Sequence, residues 1–201
     1  MFETQEKVLR KVYQDREKGD LARARQRAVE GLRKWPDDYD LAVEAVQLCF
    51  ETEDFNEATR LLKSVMRHHP REKGNLLDLT RETCLHTWNP ALAWFLLEVL
   101  VRGREIDAVR DLLRRAPAPL PDDLAKRART RKRSLEENGQ GRSPGSTDAA
   151  LLLGLCLLET GRHAEAAAAL GSVLPKAPEI AHAVGEILVD LEREIPDDAE
   201  T

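Results

Sequence analysis

Six cations stand within eight residues at Lys126-Arg127-Ala128-Arg129-Thr130-Arg131-Lys132-Arg133. A helix of that composition could neutralise phosphates or an acidic protein surface. Nothing aromatic nearby could stack on a base, so half of a single-strand binding site is missing. Asp122, Asp123, Glu136 and Glu137 also flank the run, which suits a solvated, charge-balanced helix face. Lys126, Arg127, Arg129, Arg131, Lys132 and Arg133 are therefore read first as a surface electrostatic patch. A protein contact through that patch comes next, and nucleic acid is not expected as a partner.

The remaining chemistry-bearing residues do not assemble into a catalytic pattern. His68-His69 precede Pro70 at a helix end, where basic side chains suit the terminal carbonyls. Cys84 and His86 are two apart and cannot share one helix face, so a zinc reading is weak. His163 falls at a turn and His182 near a helix start. Phosphate-binding glycine loops, nucleophile elbows and paired-histidine motifs are missing from the sequence. No enzymatic activity, no metal and no cofactor is expected.

Composition supports a helical, soluble chain. It has 201 residues, 33% charged and 42% hydrophobic, with aromatics at 4% and a net charge of -5. Leu and Ala carry the apolar content, which suits close-packed helices better than sheets. The longest uncharged apolar stretch, Ala149 to Leu158, is too short to cross a bilayer. Cys49, Cys84 and Cys156 lie far apart within apolar helical patterns, which argues against a disulfide framework. With the polar N-terminus Met1 to Glu6, that usage predicts a cytoplasmic protein without a secretory signal.

The elements that must position any site show as a repeat. Gly19-Asp20-Leu21-Ala22-Arg23-Ala24 leads to Pro36, and Glu53-Asp54-Phe55-Asn56-Glu57-Ala58 leads to Pro70, 34 positions later. Gly161 to Ala166, leading to Pro178, repeats the phrase; Gly103 to Ala108 is a degenerate copy. A period of about 34 residues is that of stacked helical hairpins. In each phrase Gly can end one helix in the left-handed conformation and the Asp can start the next. The Ala allows close approach, and the Pro stops the second helix. Helix pairs are predicted at 4–18 with 21–34, 38–52 with 55–68, 90–102 with 105–116, and 147–160 with 163–174. Irregular extra helices are expected over 73–87 and 121–137, and a capping helix over 179–194.

These residues resemble the tetratricopeptide repeat family. Gly19, Asp20, Ala24, Leu32 and Pro36 match its pattern in the first copy, and Asp54, Phe55, Ala58 and Pro70 in the second. Gly154, Gly161, Ala166, Leu170, Leu174 and Pro178 match in the last. The resemblance covers about two thirds of the chain and departs at 73–90 and 117–147. It implies an all-α, right-handed α-α superhelix of about eleven helices that binds protein or peptide. The expected domain organisation is 1–137 as repeats plus irregular helices, 138–147 as a flexible linker, and 148–195 as the last repeat and capping helix packed on the same array. Members that grip the C-terminal carboxylate of chaperones resemble one another in a Lys/Asn set. The matching positions here, Leu9, Tyr13, Glu44 and Gln47, cannot supply it.

The inner face of such an array would present Tyr13, Glu44, Gln47 and Phe50 in the N-terminal half, a mixed and somewhat acidic surface. In the C-terminal half it would present Trp94 and Leu97 among leucines. An apolar groove of that size calls for a cover. The orphan helix 121–137 or the capping helix is the internal candidate; a partner helix or self-association is the alternative. The expected function is therefore non-enzymatic capture of a partner's peptide or helix on a concave face. A nucleic-acid-associated adaptor using 126–133, or the repeat region of a larger regulatory protein, are the rival readings.

Overall fold

The computed structural model describes residues 4–70 and 73–194, and every regular element among them is helical. In order they are α1 (Gln5–Glu17), α2 (Leu21–Lys34), α3 (Tyr39–Glu51), α4 (Phe55–His68), α5 (Lys73–Thr87), α6 (Pro90–Arg102), α7 (Ile106–Arg115), α8 (Leu120–Glu137), α9 (Pro144–Glu159), α10 (His163–Gly171) and α11 (Ala181–Glu194). Short 3-10 turns at Leu174–Lys176 and Pro178–Ile180 precede α11. The chain divides into two compact units, Met1–Ala93 and Trp94–Thr201, the division falling within α6.

One turn geometry recurs. Gly19, Glu53, Arg104 and Gly161 have φ of 77°, 55°, 61° and 72°. At each, the following amide reaches back to a carbonyl of the preceding helix: Asp20 N to Asp15 O at 2.9 Å, Asp54 N to Cys49 O at 2.8 Å, Glu105 N to Leu100 O at 3.0 Å, and Arg162 N to Leu157 O at 2.9 Å. This six-to-one closure satisfies carbonyls that a helix end would leave bare. Asp20 and Asp54 then cap the next helix, accepting from Arg23 N at 3.1 Å and Glu57 N at 3.2 Å.

The third hairpin shifts the expected register by one residue. Its left-handed position is Arg104 rather than Gly103, so buried Val109 takes the place held by Ala24, Ala58 and Ala166, while Ala108 is only half-buried. The presence of a glycine one position early misaligned the phrase. Backbone hydrogen bonding, which Arg can satisfy as Gly does at a steric cost, decides the turn.

In the first unit α1, α2, α3 and α4 pack in sequence, α1 also touching α3 and α4 touching α5. Val8, Val12, Ala24, Ala28, Leu41, Ala45, Leu48, Ala58, Leu61, Leu62 and Val65 form its core. Each fully buried leucine contributes about 1.5–3 kcal/mol. Small residues at Ala24, Ala28 and Gly31 bring α2 close to its neighbours; a Cβ on Gly31 would stand 3.0 Å from Val8 Cγ1.

In the second unit α9 is the central element, packing against α7, α8 and α10. Ala149 through Leu157 are all buried, and such all-round burial marks a helix enclosed on every side. The orphan helix does cover the apolar face: α8 lies along α9 with Leu120, Pro121, Leu124, Ala125 and Ala128 buried. The segment 138–147 is partly helical. Gly139 (φ 73°) and Gln140 close α8 with the same turn geometry, and α9 begins at Pro144. Ser143 caps it, accepting from Ser146 N at 3.3 Å, and Ser146 and Thr147 are buried. Proline at the first helical position lacks only an N–H that would have no partner there anyway. Along the chain the two compact units meet at Ala93/Trp94, and the helices on either side of 138–147 pack side by side.

Candidate partner-binding face

In the first unit the first helix of each hairpin buries one stripe and leaves another open. In α1 the buried stripe is Val8, Val12 and Asp15; in α3 it is wider, from Leu41 to Cys49. Thr4 and Asp38 start these helices, accepting from Lys7 N at 3.4 Å and Leu41 N at 2.9 Å. That phasing sets Glu6, Tyr13 and Glu17 on the other side of α1, and Asp40, Gln47 and Glu51 on α3.

Arg16 ties the two helices together. Its Nη1 donates to Glu44 Oε1 at 2.8 Å, and its Nη2 donates to Glu51 Oε1. Burial disfavours its charge, but the two carboxylates outweigh that and raise the guanidinium pKa. Tyr13 stands beside this group and is 44% exposed. Partial burial, then the carboxylates of Glu44 and Asp40, push its phenol pKa up, with Arg16 working the other way. The face therefore carries negative potential around an exposed aromatic ring. It can receive a cation, a hydrogen-bond donor or an apolar side chain.

The expected site residues divide. Tyr13 is open, Gln47 and Phe50 are half-buried, and all three lie on the first-helix face of the first unit. Glu44 lies there too, but it is only 5% exposed and serves to hold Arg16. Trp94 and Leu97, at 3% and 0% exposure, are not open anchors. The Arg127 guanidinium sits 4.5 Å from the Trp94 ring centroid, and α8 supplies the cover that the apolar groove required.

The cation cluster on α8 is largely engaged within its own unit. Arg131 pairs with Glu98 of α6, and Arg129 with Glu165 of α10 at 3.0 Å. Lys126 pairs with Asp123 at 3.2 Å and Lys132 with Glu136 at 2.8 Å. Partial desolvation lowers the pKa of Arg127, whose guanidinium rests on the Trp94 ring. Arg133 alone of the six has no ion pair or ring contact among the described residues. The cluster thus fastens α8 more than it offers a uniform basic surface.

Two nodes escaped the sequence. Arg16 joins partners 28 and 35 positions away, a separation that no local pattern reveals. Arg104 donates to Asp148 at 2.6 Å and to Glu179 at 3.0 Å, binding the α6–α7 turn to the start of α9 and to the 3-10 turn before α11. Because arginine rather than glycine holds this left-handed position, nothing in the residue types marked it. Among the described residues no group of three His, Cys, Asp or Glu side chains could hold a metal ion, and no helix is long and apolar enough to cross a membrane.

Comparison with known proteins agrees with the repeated turns. Two family models, both described as Tetratricopeptide repeat, match residues 16–81 and 126–179. The first span runs from within α1 into α5, and the second from within α8 to the turn before α11. No curated protein matches the sequence. Among solved structures, one titled "Crystal structure of MamA protein" is 19% identical, covering 90% of this chain and 96% of that one, with a TM-score of 0.34. With four hairpin turns of one geometry and two matched spans, the chain is a helical-repeat protein of the tetratricopeptide family, a protein–protein interaction module.

Proposed function

We propose that the first-helix face of the first unit captures a peptide or helix of a partner protein, without catalysis. Tyr13, Gln47 and Phe50 are its contact residues, and Glu44 acts through Arg16 to hold the rim. The observation that carries this reading is Tyr13. An aromatic ring 44% exposed stands beside the Arg16, Glu44 and Glu51 group, which is already fixed by hydrogen bonds. Aromatic anchors in a polar rim supply much of the binding energy in protein interfaces, and a pre-paired rim loses little side-chain freedom on binding. Three free, buried thiols suit a reducing, cytoplasmic setting.

Selection of a random peptide library on the full chain tests this reading. Binders should lose about tenfold in affinity on Tyr13→Ala or Phe50→Ala, the scale of an interface hot spot. His182→Ala, on the exposed side of α11, should leave them unchanged. Binders indifferent to Tyr13, Gln47 and Phe50 would place capture elsewhere and overturn it.

A further inference from the structure

The second unit displays what sits on its own first-helix face. There α8, a helix with six cations in eight residues, lays Arg127 over Trp94 and pairs Arg131 with Glu98. Counted back from the left-handed residue of each hairpin, Glu98 stands six positions before Arg104, as Tyr13 does before Gly19. Asp148 stands thirteen before Gly161, as Asp40 does before Glu53. The carboxylates Asp40 and Asp148 thus hold equivalent positions, whereas Tyr13 stands where the second unit has Glu98, and Trp94 stands where α1 has Leu9. In the second unit the face is occupied by a basic helix of the chain itself; in the first Tyr13 is exposed.

Charge on the first unit's face has one sign in excess. Glu6, Glu17, Asp40, Glu44 and Glu51 stand against Arg10 and Arg16. Arg10 is held by Glu6 at 3.3 Å, and Arg16 by Glu44 and Glu51. Glu17 and Asp40 are exposed and have no ion pair among the described residues. The Asp40 and Glu44 carboxylates both raise the pKa of the Tyr13 phenol, so the negative potential reaches the ring.

We infer that the face around Tyr13, Glu17 and Asp40 takes a cationic amphipathic helix of a partner protein, a guanidinium or ammonium resting on Tyr13 between the two carboxylates. This rests on the capture reading above and adds the sign of the partner's charge. Cation–π contact and unpaired carboxylates act together there, the combination that seats Arg127 and Arg131 in the second unit. An acidic segment would meet Glu17 and Asp40 as like charges.

The test uses the full chain, isotope-labelled for NMR, and two synthetic helices of alanine and leucine. One carries arginine at i and i+4 positions; the other carries glutamate in each arginine's place. The arginine peptide should move the signals of Tyr13, Gln47 and Phe50. Its affinity should weaken roughly fivefold between about 50 and 200 mM salt, because the charges are exposed. Asp40→Asn combined with Glu17→Gln should weaken it by about five- to tenfold, two exposed charge contacts' worth. Asp107→Asn with Glu186→Gln, exposed acids of the second unit, should not. Equal binding of the glutamate peptide on the same signals overturns the charge preference and leaves capture standing. Signals of the face that stay still, or shift only in regions away from it, overturn the inference. Concentration-dependent broadening of the face without peptide would make the occupant a second copy, which also overturns it.

Discussion

At the scale of residues, glycines with the same name do opposite work. Gly154, in the middle of α9, faces Leu170 so closely that a Cβ there would stand 2.6 Å from Leu170 Cγ and 3.3 Å from its backbone nitrogen. Gly185 in α11 has nothing within 4 Å of the corresponding point. Helix propensity alone favours alanine at both by about 1 kcal/mol. Overpacking opposes it only at Gly154, where Leu170 is fully buried and its Cγ has little room to yield, at a cost of about 1–3 kcal/mol. Gly185→Ala should therefore raise the unfolding free energy by up to about 1 kcal/mol, and Gly154→Ala should lower it or at best leave no gain. Chemical denaturation of the two variants checks this. A Gly154→Ala variant stabilised as much as Gly185→Ala would mean that α9 and α10 do not approach as described.

At the scale of elements, α8 separates what a sequence discloses from what it withholds. Its helicity and charge were legible, as were almost all helix limits, because Gly, Asp and Pro punctuate a 3.6-residue apolar period. The buried Ala24, Ala58 and Ala166 show that the repeated phrase tracked real packing. The apolar face containing Trp94 and Leu97 was legible as well, but its occupant was one of several candidates. Which helix covers it depends on contacts such as Arg131–Glu98 and Arg129–Glu165, which lie too far apart in sequence for any period to show. Likewise Tyr13, Gln47 and Phe50 could be placed on a first-helix face, whereas the Arg16 pairs that fix its charge could not. If α8 is a structural cover, its cations should differ sharply in their effect on stability. Arg131→Ala leaves Glu98, whose side chain is only 10% exposed, without that partner. Losing the partner of a mostly buried carboxylate should cost about 1–3 kcal/mol, towards the lower end because Arg131 is itself 34% exposed. Arg133→Ala, on the exposed side, should change stability by less than about 0.5 kcal/mol. Equal, negligible losses in thermal unfolding would show that α8 is fastened by its leucines alone.

At the scale of the whole molecule, the three thiols tie the stability of both units to pH. Cys49 and Cys84 lie in the first unit and Cys156 in the second, all buried and free. Burial pushes Cys49 and Cys156 from 9.0 up to about 12, with carboxylates of Asp54 and Glu159 adding to it, and pushes Cys84 to about 11. The folded chain thus keeps a proton on each sulfur where the unfolded chain has released it. Below pH 9 both states are protonated and the thiols have no linkage effect. Above it the unfolded state binds fewer protons, so stability must fall as pH rises, up to the folded-state values. Each thiol contributes a loss of about 1.4 kcal/mol per pH unit within that window. From pH 9 to 11 this amounts to about 5.5 kcal/mol for the two thiols of the first unit and about 2.8 kcal/mol for the one in the second, a sizeable share of a stability of about 5–15 kcal/mol. Urea unfolding at pH 8, 9, 10 and 11 should show a flat region followed by a steep decline. Cys49→Ala with Cys156→Ala should start lower, because two small cavities are opened, yet decline less steeply. The same slope with and without those sulfurs would assign the alkaline loss to other groups and show that the two thiols titrate alike in the folded and unfolded chain.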